Sequence, residues 1–328
     1  MHNFKELYND FLNQIENRLF NLLDDKEPKT IYEPFNYILK GGGKRIRPVL
    51  TMICSGLSGG EPTEALDSAC AMEILHNFTL VHDDIMDRSK LRRGRETIHI
   101  KWDEPTAILT GDIMVGYAFQ LLPDCVKHER SDYIKKEFIK ALIEVCEGQA
   151  YDMEFNFRKE VSLDKYLLMI EKKTSRVLEA CATIGCHIGK MDFNDIESIR
   201  KYANNLGIAF QIQDDWLDIS AEQNQLGKKV GNDILEGKKT YLIIKAKELA
   251  KSPNDVELIN EFYQNNGMSE EYIEVFQKLF LNLGIMESTV KEFNGYFEKA
   301  LDNLVKLKES KFKSMLEWLV SSLMVRKF

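Results

Sequence analysis

Only 7 prolines occur in 328 residues, and no glycine–serine or repetitive run divides the chain. Two domains would fit the length, but without a linker the chain reads as one domain over 1–328. No stretch approaches the roughly 18 uninterrupted apolar residues of a membrane span, so no integral membrane segment is expected. Lys5, Glu6 and Asp10 interrupt the first apolar residues and leave no signal-peptide core. There is no Cys-x-x-Cys pair. The cysteines at 54, 70, 125, 146, 181 and 186 are scattered, as expected of reduced, mostly buried thiols in a cytoplasmic protein. An excess of basic charge is also missing, and a net charge of −8 argues against a nucleic-acid partner. Finally, no five-residue run alternates as a strand would. The expected fold class is all-α.

Hydrophobic periodicity supplies the helices. Phe4, Leu7, Tyr8, Phe11, Leu12, Ile15, Leu19, Leu22 and Leu23 follow the helical period over 4–24, and Pro28 and Pro34 should break it. Helices are expected at 32–39, through 49–54 behind Pro48, at 65–85, 106–123, 131–157 and 195–219. The segment 163–189 is one long helix or two broken ones. Five more are expected at 242–250, 254–265, 269–283, 288–305 and 311–325.

One helix carries Leu80-Val81-His82-Asp83-Asp84-Ile85-Met86-Asp87. Positions four apart share a helix face, so Asp83 and Asp87 project side by side with Asp84 next to them. Carboxylates this close repel, and burial raises their pKa unless a cation offsets it. Oxygen-only ligands suit Mg²⁺, which commonly bridges one or two carboxylates to substrate phosphates. A solvated acidic face is the plain alternative. A second copy of the spacing, Asp214-Asp215-Trp216-Leu217-Asp218, also sits among large apolar residues and weighs against that alternative.

The cations complete the pattern. Gly41-Gly42-Gly43-Lys44-Arg45-Ile46-Arg47-Pro48 puts flexible backbone and three cations before a helix, a setting that suits a phosphate. It lacks the spacing of a Walker loop. Arg92 and Arg93 follow the first acidic motif, and 226–240 holds three glycines and four lysines after the second. Arg can bind phosphate bidentately, and Lys acts as a point charge. The anchors outnumber what one diphosphate needs, so two are inferred. Helices lined with Phe, Leu, Met and Ile suggest a hydrocarbon chain on a diphosphate head. No nucleophile triad is visible, which leaves metal and electrostatic catalysis.

These residues resemble the trans-isoprenyl diphosphate synthases, or polyprenyl synthetases. The likeness covers about two thirds of the chain, from Gly41 to Lys239. Its landmarks run in order: Gly-Lys-x-x-Arg-Pro, His76, Asp-Asp-Ile-Met-Asp, Arg-Arg-Gly, Gly111-Asp112, Gly148-Gln149, Lys173-Thr174, Phe-Gln-x-x-Asp-Asp-x-x-Asp, and a Gly-Lys loop before Asp233 and Lys238. The resemblance implies an all-α bundle with a central cavity, usually a homodimer, working with Mg²⁺ on isopentenyl diphosphate and an allylic prenyl diphosphate. It implies Asp83, Asp87 and Asp214 as Mg²⁺ ligands, with Asp84 and Asp218 in support. Arg92, Lys173, Lys229 and Lys238 would hold the allylic diphosphate. Lys44, Arg47, His76 and Arg93 would hold isopentenyl diphosphate. Thr174 and Gln211 would line the path of the allylic cation. The loop reads Gly227-Lys228-Lys229-Val230, one Lys beyond the family pattern, and counting back from Asp233 favours Lys229 over Lys228. Arg326-Lys327 could close the site as basic tails do in some relatives, or simply aid solubility.

Product length should be set on the helix before Asp83. At about 1.5 Å per residue, Phe78 lies roughly 7–8 Å below it, with Thr79 beside it and Leu75 and Met72 deeper. In similar enzymes a bulky residue five positions before the motif stops growth, and many bacterial farnesyl synthases carry four residues between the aspartates rather than the two found here. Phe78 without that spacer resembles the geranylgeranyl (C20) class, with farnesyl (C15) or longer products second. A class I terpene cyclase would usually lack the second acidic motif and the Gly-Lys-x-x-Arg segment. A non-catalytic partner subunit would tend to lose the acidic motifs. Both motifs and the segment are present.

Overall fold

The computed structural model describes residues 3–126, 128–220 and 230–325. They form helices joined by short turns, with one two-residue hairpin, Leu91–Arg92 against Arg95–Glu96 (β1 and β2). Helix α1, Phe4–Phe20, is capped by Asn3 and ends before the expected Leu23, in a run of turns. Helix α2 is Lys29–Leu39. Pro34 lies inside it and does not break it. An interior proline costs about 3 kcal/mol or more. Here Phe35 and Leu39 are buried in the core and offset that cost.

Helix α3, Ile46–Leu57, starts after the glycine turn. Pro48 falls in its first turn, where backbone N–H groups lack helical partners anyway. Helix α4, Leu66–Met86, runs to the first acidic motif, and Asp87 caps its C-terminus. After the hairpin come α5 (Ile98–Lys101), α6 (Glu104–Gln120) and α7 (Ser131–Phe155). The expected segment 163–189 is continuous. It comprises α8 (Leu163–Ile170), a π-helical turn at Glu171–Ser175, and α9 (Arg176–Ile188).

Helix α9 is central, with every residue from Val177 to Ile188 buried. It packs against α3, α4, α7 and α10 (Phe193–Ser220), whose last turns carry the second acidic motif. The remaining helices are α11 (Asn232–Leu235), α12 (Tyr241–Leu249), α13 (Pro253–Asn265), α14 (Ile273–Asn282), α15 (Ile285–Asp302) and α16 (Lys311–Met324). Helix α15 lies along α10, and α16 closes the bundle against α3. No helix among the described residues is long and apolar enough to cross a membrane.

Candidate active site

The first acidic motif divides its three carboxylates between two environments. Asp84 is 2% exposed and bound by Arg92, with Nε at 2.8 Å and Nη2 at 2.7 Å from Oδ1. Asp84 and Arg92 therefore hold each other, with the Arg92 side chain still 25% exposed. Asp83 and Asp87 remain partly accessible. Burial pushes the Asp83 carboxyl up to about 6, with Asp87 and Asp152 adding to the rise and Lys173 and Arg92 opposing it.

Two lysines converge beside this motif, Lys173 from the π-helical turn after α8 and Lys238 from the loop after α11. Lys238 Nζ stands 3.3 Å from Asp87 Oδ1 and 3.7 Å from Asp152 Oδ2. Lys173 Nζ donates to Asp152 Oδ2 at 2.7 Å. Asp152, on the last turns of α7, is thus the joint between the two lysines, a role that no local sequence pattern signals. Burial alone would lower the lysine pKa values, but Asp152 and the motif carboxylates outweigh it and raise both. Both ammonium groups stay charged at neutral pH. Burial raises the Asp152 carboxyl, and the two lysines more than reverse this, holding it below its usual range.

Lys173 is aimed by the π-turn. Adjacent Lys172 and Lys173 both reach α7, at Glu147 and Asp152. The turn lies so close to α7 that a Cβ on Gly148 would stand 2.4 Å from the Lys173 nitrogen. Only glycine permits that approach. π-Turns are rare and gather at functional sites.

Thr174 follows in the same turn. Its hydroxyl donates to Gln211 Oε1 at 2.9 Å, and Gln211 Nε2 donates to Asp215 Oδ1 at 3.1 Å. Asp215 also accepts from the Tyr166 hydroxyl at 2.6 Å and the Tyr241 N–H at 3.1 Å. Burial raises its pKa and these donors oppose the rise. The middle carboxylate of each motif is therefore an internal strut. In the second motif, Asp218 accepts the Asp233 N–H at 3.1 Å through Oδ2 and the Gly231 N–H at 2.7 Å through its carbonyl. Asp214 acts electrostatically on Arg47, which links the second motif to the glycine turn.

The second cationic group surrounds His76. Arg47 Nη1 lies 3.3 Å from His76 Nε2. A guanidinium only donates, so Nε2 accepts. Burial, then the charges of Arg47, Arg93, Arg92 and Arg45, hold His76 neutral, well below its usual pKa. Arg93 donates to the Gly42 carbonyl, and Arg47 Nε is buried with no acceptor among the described residues. Lys44 is exposed, and its carbonyl accepts from the Tyr8 hydroxyl. Arg45 behaves differently from its neighbours. Its backbone is left-handed (φ 51°), which turns the side chain inward to Glu73 and the Leu39 carbonyl. Of the three expected cations of this turn, Arg45 is a strut.

Phe78 is buried, with its ring edge-on to His82 at 4.8 Å. Thr79 donates to the His76 carbonyl at 2.8 Å, and Leu75 and Met72 are fully buried below. Lys228, Lys229 and Arg326-Lys327 lie outside the described residues.

Among the described residues, no three carboxylate, imidazole or thiol groups form a ready metal cage. The oxygen donors at Asp83 and Asp87 fit a hard cation whose remaining ligands are phosphate and water. A helical bundle with two acidic helix ends and two cationic groups defines a site for anionic ligands. The sequence model of the family described as polyprenyl synthetase matches residues 28–279. The chain is 37% identical over 307 residues to a geranylgeranyl diphosphate synthase of Sulfolobus acidocaldarius, covering 92% of this chain and 91% of that one. It is 40% identical over 255 residues to a short chain isoprenyl diphosphate synthase of Methanocaldococcus jannaschii, covering 78% and 77%. Its fold superposes on the crystal structure of geranylgeranyl pyrophosphate synthetase from Pyrococcus horikoshii with a TM-score of 0.90 at 33% identity, over 99% of this chain and 100% of that one. The chain belongs to the polyprenyl synthetase family and is a prenyltransferase.

Proposed function

We propose that the protein condenses isopentenyl diphosphate with an allylic diphosphate, with Mg²⁺, to make geranylgeranyl diphosphate (C20). The observation that carries this reading is the convergence of Lys173 and Lys238 on Asp152 beside Asp87, with a separate arginine group around His76. Two cationic groups suit two diphosphates. Lys173, Lys238 and Arg92, with Lys229, serve the allylic diphosphate. Arg47, Arg93 and Lys44, with neutral His76, serve isopentenyl diphosphate, and the orphaned Arg47 Nε is a donor for it.

Mg²⁺ would be held by Asp83, Asp87 and Asp214, and when bound it offsets the charge of the departing diphosphate. The allylic C–O bond breaks, the isopentenyl double bond attacks the resulting cation, and the released diphosphate takes the proton lost from the new chain. The lysines hold that diphosphate in place, so departure costs little rearrangement. Thr174 and Gln211, tied to Asp215, present oxygen atoms along the path of the cation. Buried Leu75, Met72 and Phe78 on α4 suit a hydrocarbon channel, with Phe78 as its floor.

The reading extends to a single isoprenoid synthase domain over 1–328, working as a cytoplasmic homodimer. Exposed Ile108, Leu109 and Phe119 on α6 and Ile139 and Ile143 on α7 support the dimer. The test is to incubate the pure protein with Mg²⁺, isopentenyl diphosphate and dimethylallyl, geranyl or farnesyl diphosphate, and to size the products by mass spectrometry. C20 as the main product is expected. A C15 or longer limit would overturn the length, a cyclic hydrocarbon would indicate a cyclase, and no turnover would indicate a partner subunit.

A further inference from the structure

Lys238 and Lys239 are neighbours that point to opposite sides of one strap. Lys238 reaches forward to Asp87 and Asp152. Lys239 reaches back, is only 4% exposed, and donates to the Gly237 carbonyl at 2.6 Å and to Asn266 Oδ1 at 3.1 Å. Its ammonium also sits 4.9 Å and 5.0 Å from the ring centroids of Phe262 and Tyr263. Burying an ammonium is costly unless it is well ligated. Carbonyl oxygens and aromatic faces surround it here, and burial lowers its pKa only to about 8, so it stays charged at neutral pH.

The contacts lock the strap from Gly231 to Thr240 onto the turn after α13. Met268 N–H donates to the Ile234 carbonyl at 3.0 Å across the seam, while Lys238 N–H donates within the strap to the Asp233 carbonyl at 3.0 Å. Gly237 adopts φ 68°, and a Cβ there would lie 2.3 Å from the Asn266 backbone. The peptide that carries Lys238 is therefore pressed against Asn266, and Lys239 grips both sides of that seam.

We propose that Lys239 is a positioning residue that sets the reach of Lys238 toward the allylic diphosphate by clamping the Gly237 carbonyl to Asn266. This rests on Lys238 as a ligand of that diphosphate. The prediction is selective because the seam carries Lys238 and none of the group around His76.

The experiment compares the wild type with Lys239→Met, Lys239→Arg and Asn266→Gly. Steady-state assays vary farnesyl diphosphate and isopentenyl diphosphate separately with Mg²⁺, and Tm is measured for each variant. Lys239→Met removes the charge at similar length, and should raise KM for the allylic substrate about tenfold while KM for isopentenyl diphosphate stays within about twofold. Lys239→Arg keeps donors and cation and should restore most of the loss. Asn266→Gly removes the acceptor and tolerates the left-handed backbone at this position (φ 52°), so it should move the same KM in the same direction by less. If Lys239→Met does not fold, Asn266→Gly decides. Two KM values that move together, or a fall in Tm with neither KM changed, would overturn the inference alone. A wild type that forms no prenyl product from any allylic primer would overturn the prenyl-transfer reading and this inference with it.

Discussion

Asp152 carries more of the site than its surroundings in sequence suggest. It accepts from Lys173 and stands near Lys238, so one carboxylate sets the separation of two ammonium groups. In Asp152→Asn the lysines lose that anchor while the residue's shape is kept. We expect kcat/KM for the allylic substrate to fall about 10- to 100-fold, since small displacements of positioning groups cost rates of that order. Kinetics beside a thermal melt would check this, and an unchanged kcat/KM in a folded variant would remove the anchor role. Phe78 makes a second prediction at this scale. It is a bulky ring on α4, five residues before Asp83, packed against His82. Phe78→Ala should shift products beyond C20, read as chain length by mass spectrometry, and an unaltered product distribution would place the floor elsewhere.

The π-turn at Glu171–Ser175 shows how elements, more than single side chains, aim the chemistry. It puts Lys173 and Thr174 on one turn between α7 and α10. Gly148→Ala would place a methyl group 2.4 Å from the Lys173 nitrogen, so the turn must move. Activity should fall at least about tenfold in the assay used for Asp152→Asn, with circular dichroism unchanged. The seam between α7 and α9 makes a pH prediction. His187, near the end of α9, is buried and stacks on Tyr133 at 5.3 Å. Burial lowers its pKa to about 4; Glu137 opposes, and Arg130, Arg200 and His128 reinforce the lowering. Between about 6.5 and 4 the unfolded chain then binds more protons at this site, so stability falls as pH falls through that window. His187→Gln should flatten that part of a Tm-against-pH curve, and an equally steep curve would assign the acid sensitivity to other groups.

Helix positions and both acidic motifs follow local rules of period and spacing. The π-turn does not, because its register is set by how closely α7 approaches. Asp152 looked like one acid among several on α7, next to Glu144, Glu147 and Glu154. Arg45 was indistinguishable from Lys44 and Arg47 until a left-handed backbone turned it inward. The helix expected over 32–39 starts earlier, at Lys29, which turns Pro34 from a first-turn residue into an interior one.

At the scale of the whole molecule, α6 is a helix whose outer face is left largely apolar and open. Its inner face, Ala107, Thr110, Gly111, Met114 and Ala118, is buried, and α6 packs along α4. Its outer face still shows Leu109 at 56% exposure, with Ile108 and Phe119 beside it. Asp112 is also exposed on this helix, and large apolar side chains exposed around it are the kind that mark an interaction surface. Phe119 packs on Phe138, which joins this face to α7 and its exposed Ile139 and Ile143. In the proposed dimer a second copy of the chain would cover this face symmetrically. Leu109→Glu would bury a charge at that contact and should give monomers by analytical ultracentrifugation where the wild type gives dimers. The effect should also reach the chemistry. His82, next to Asp83, lies with Nε2 3.3 Å from the Ile108 carbonyl, so α6 backs the end of α4 that carries the first motif. The monomeric variant should therefore lose kcat as well as its partner. A wild type that sediments as a monomer, or a Leu109→Glu dimer with full activity, would show that α6 is covered by something other than its own copy.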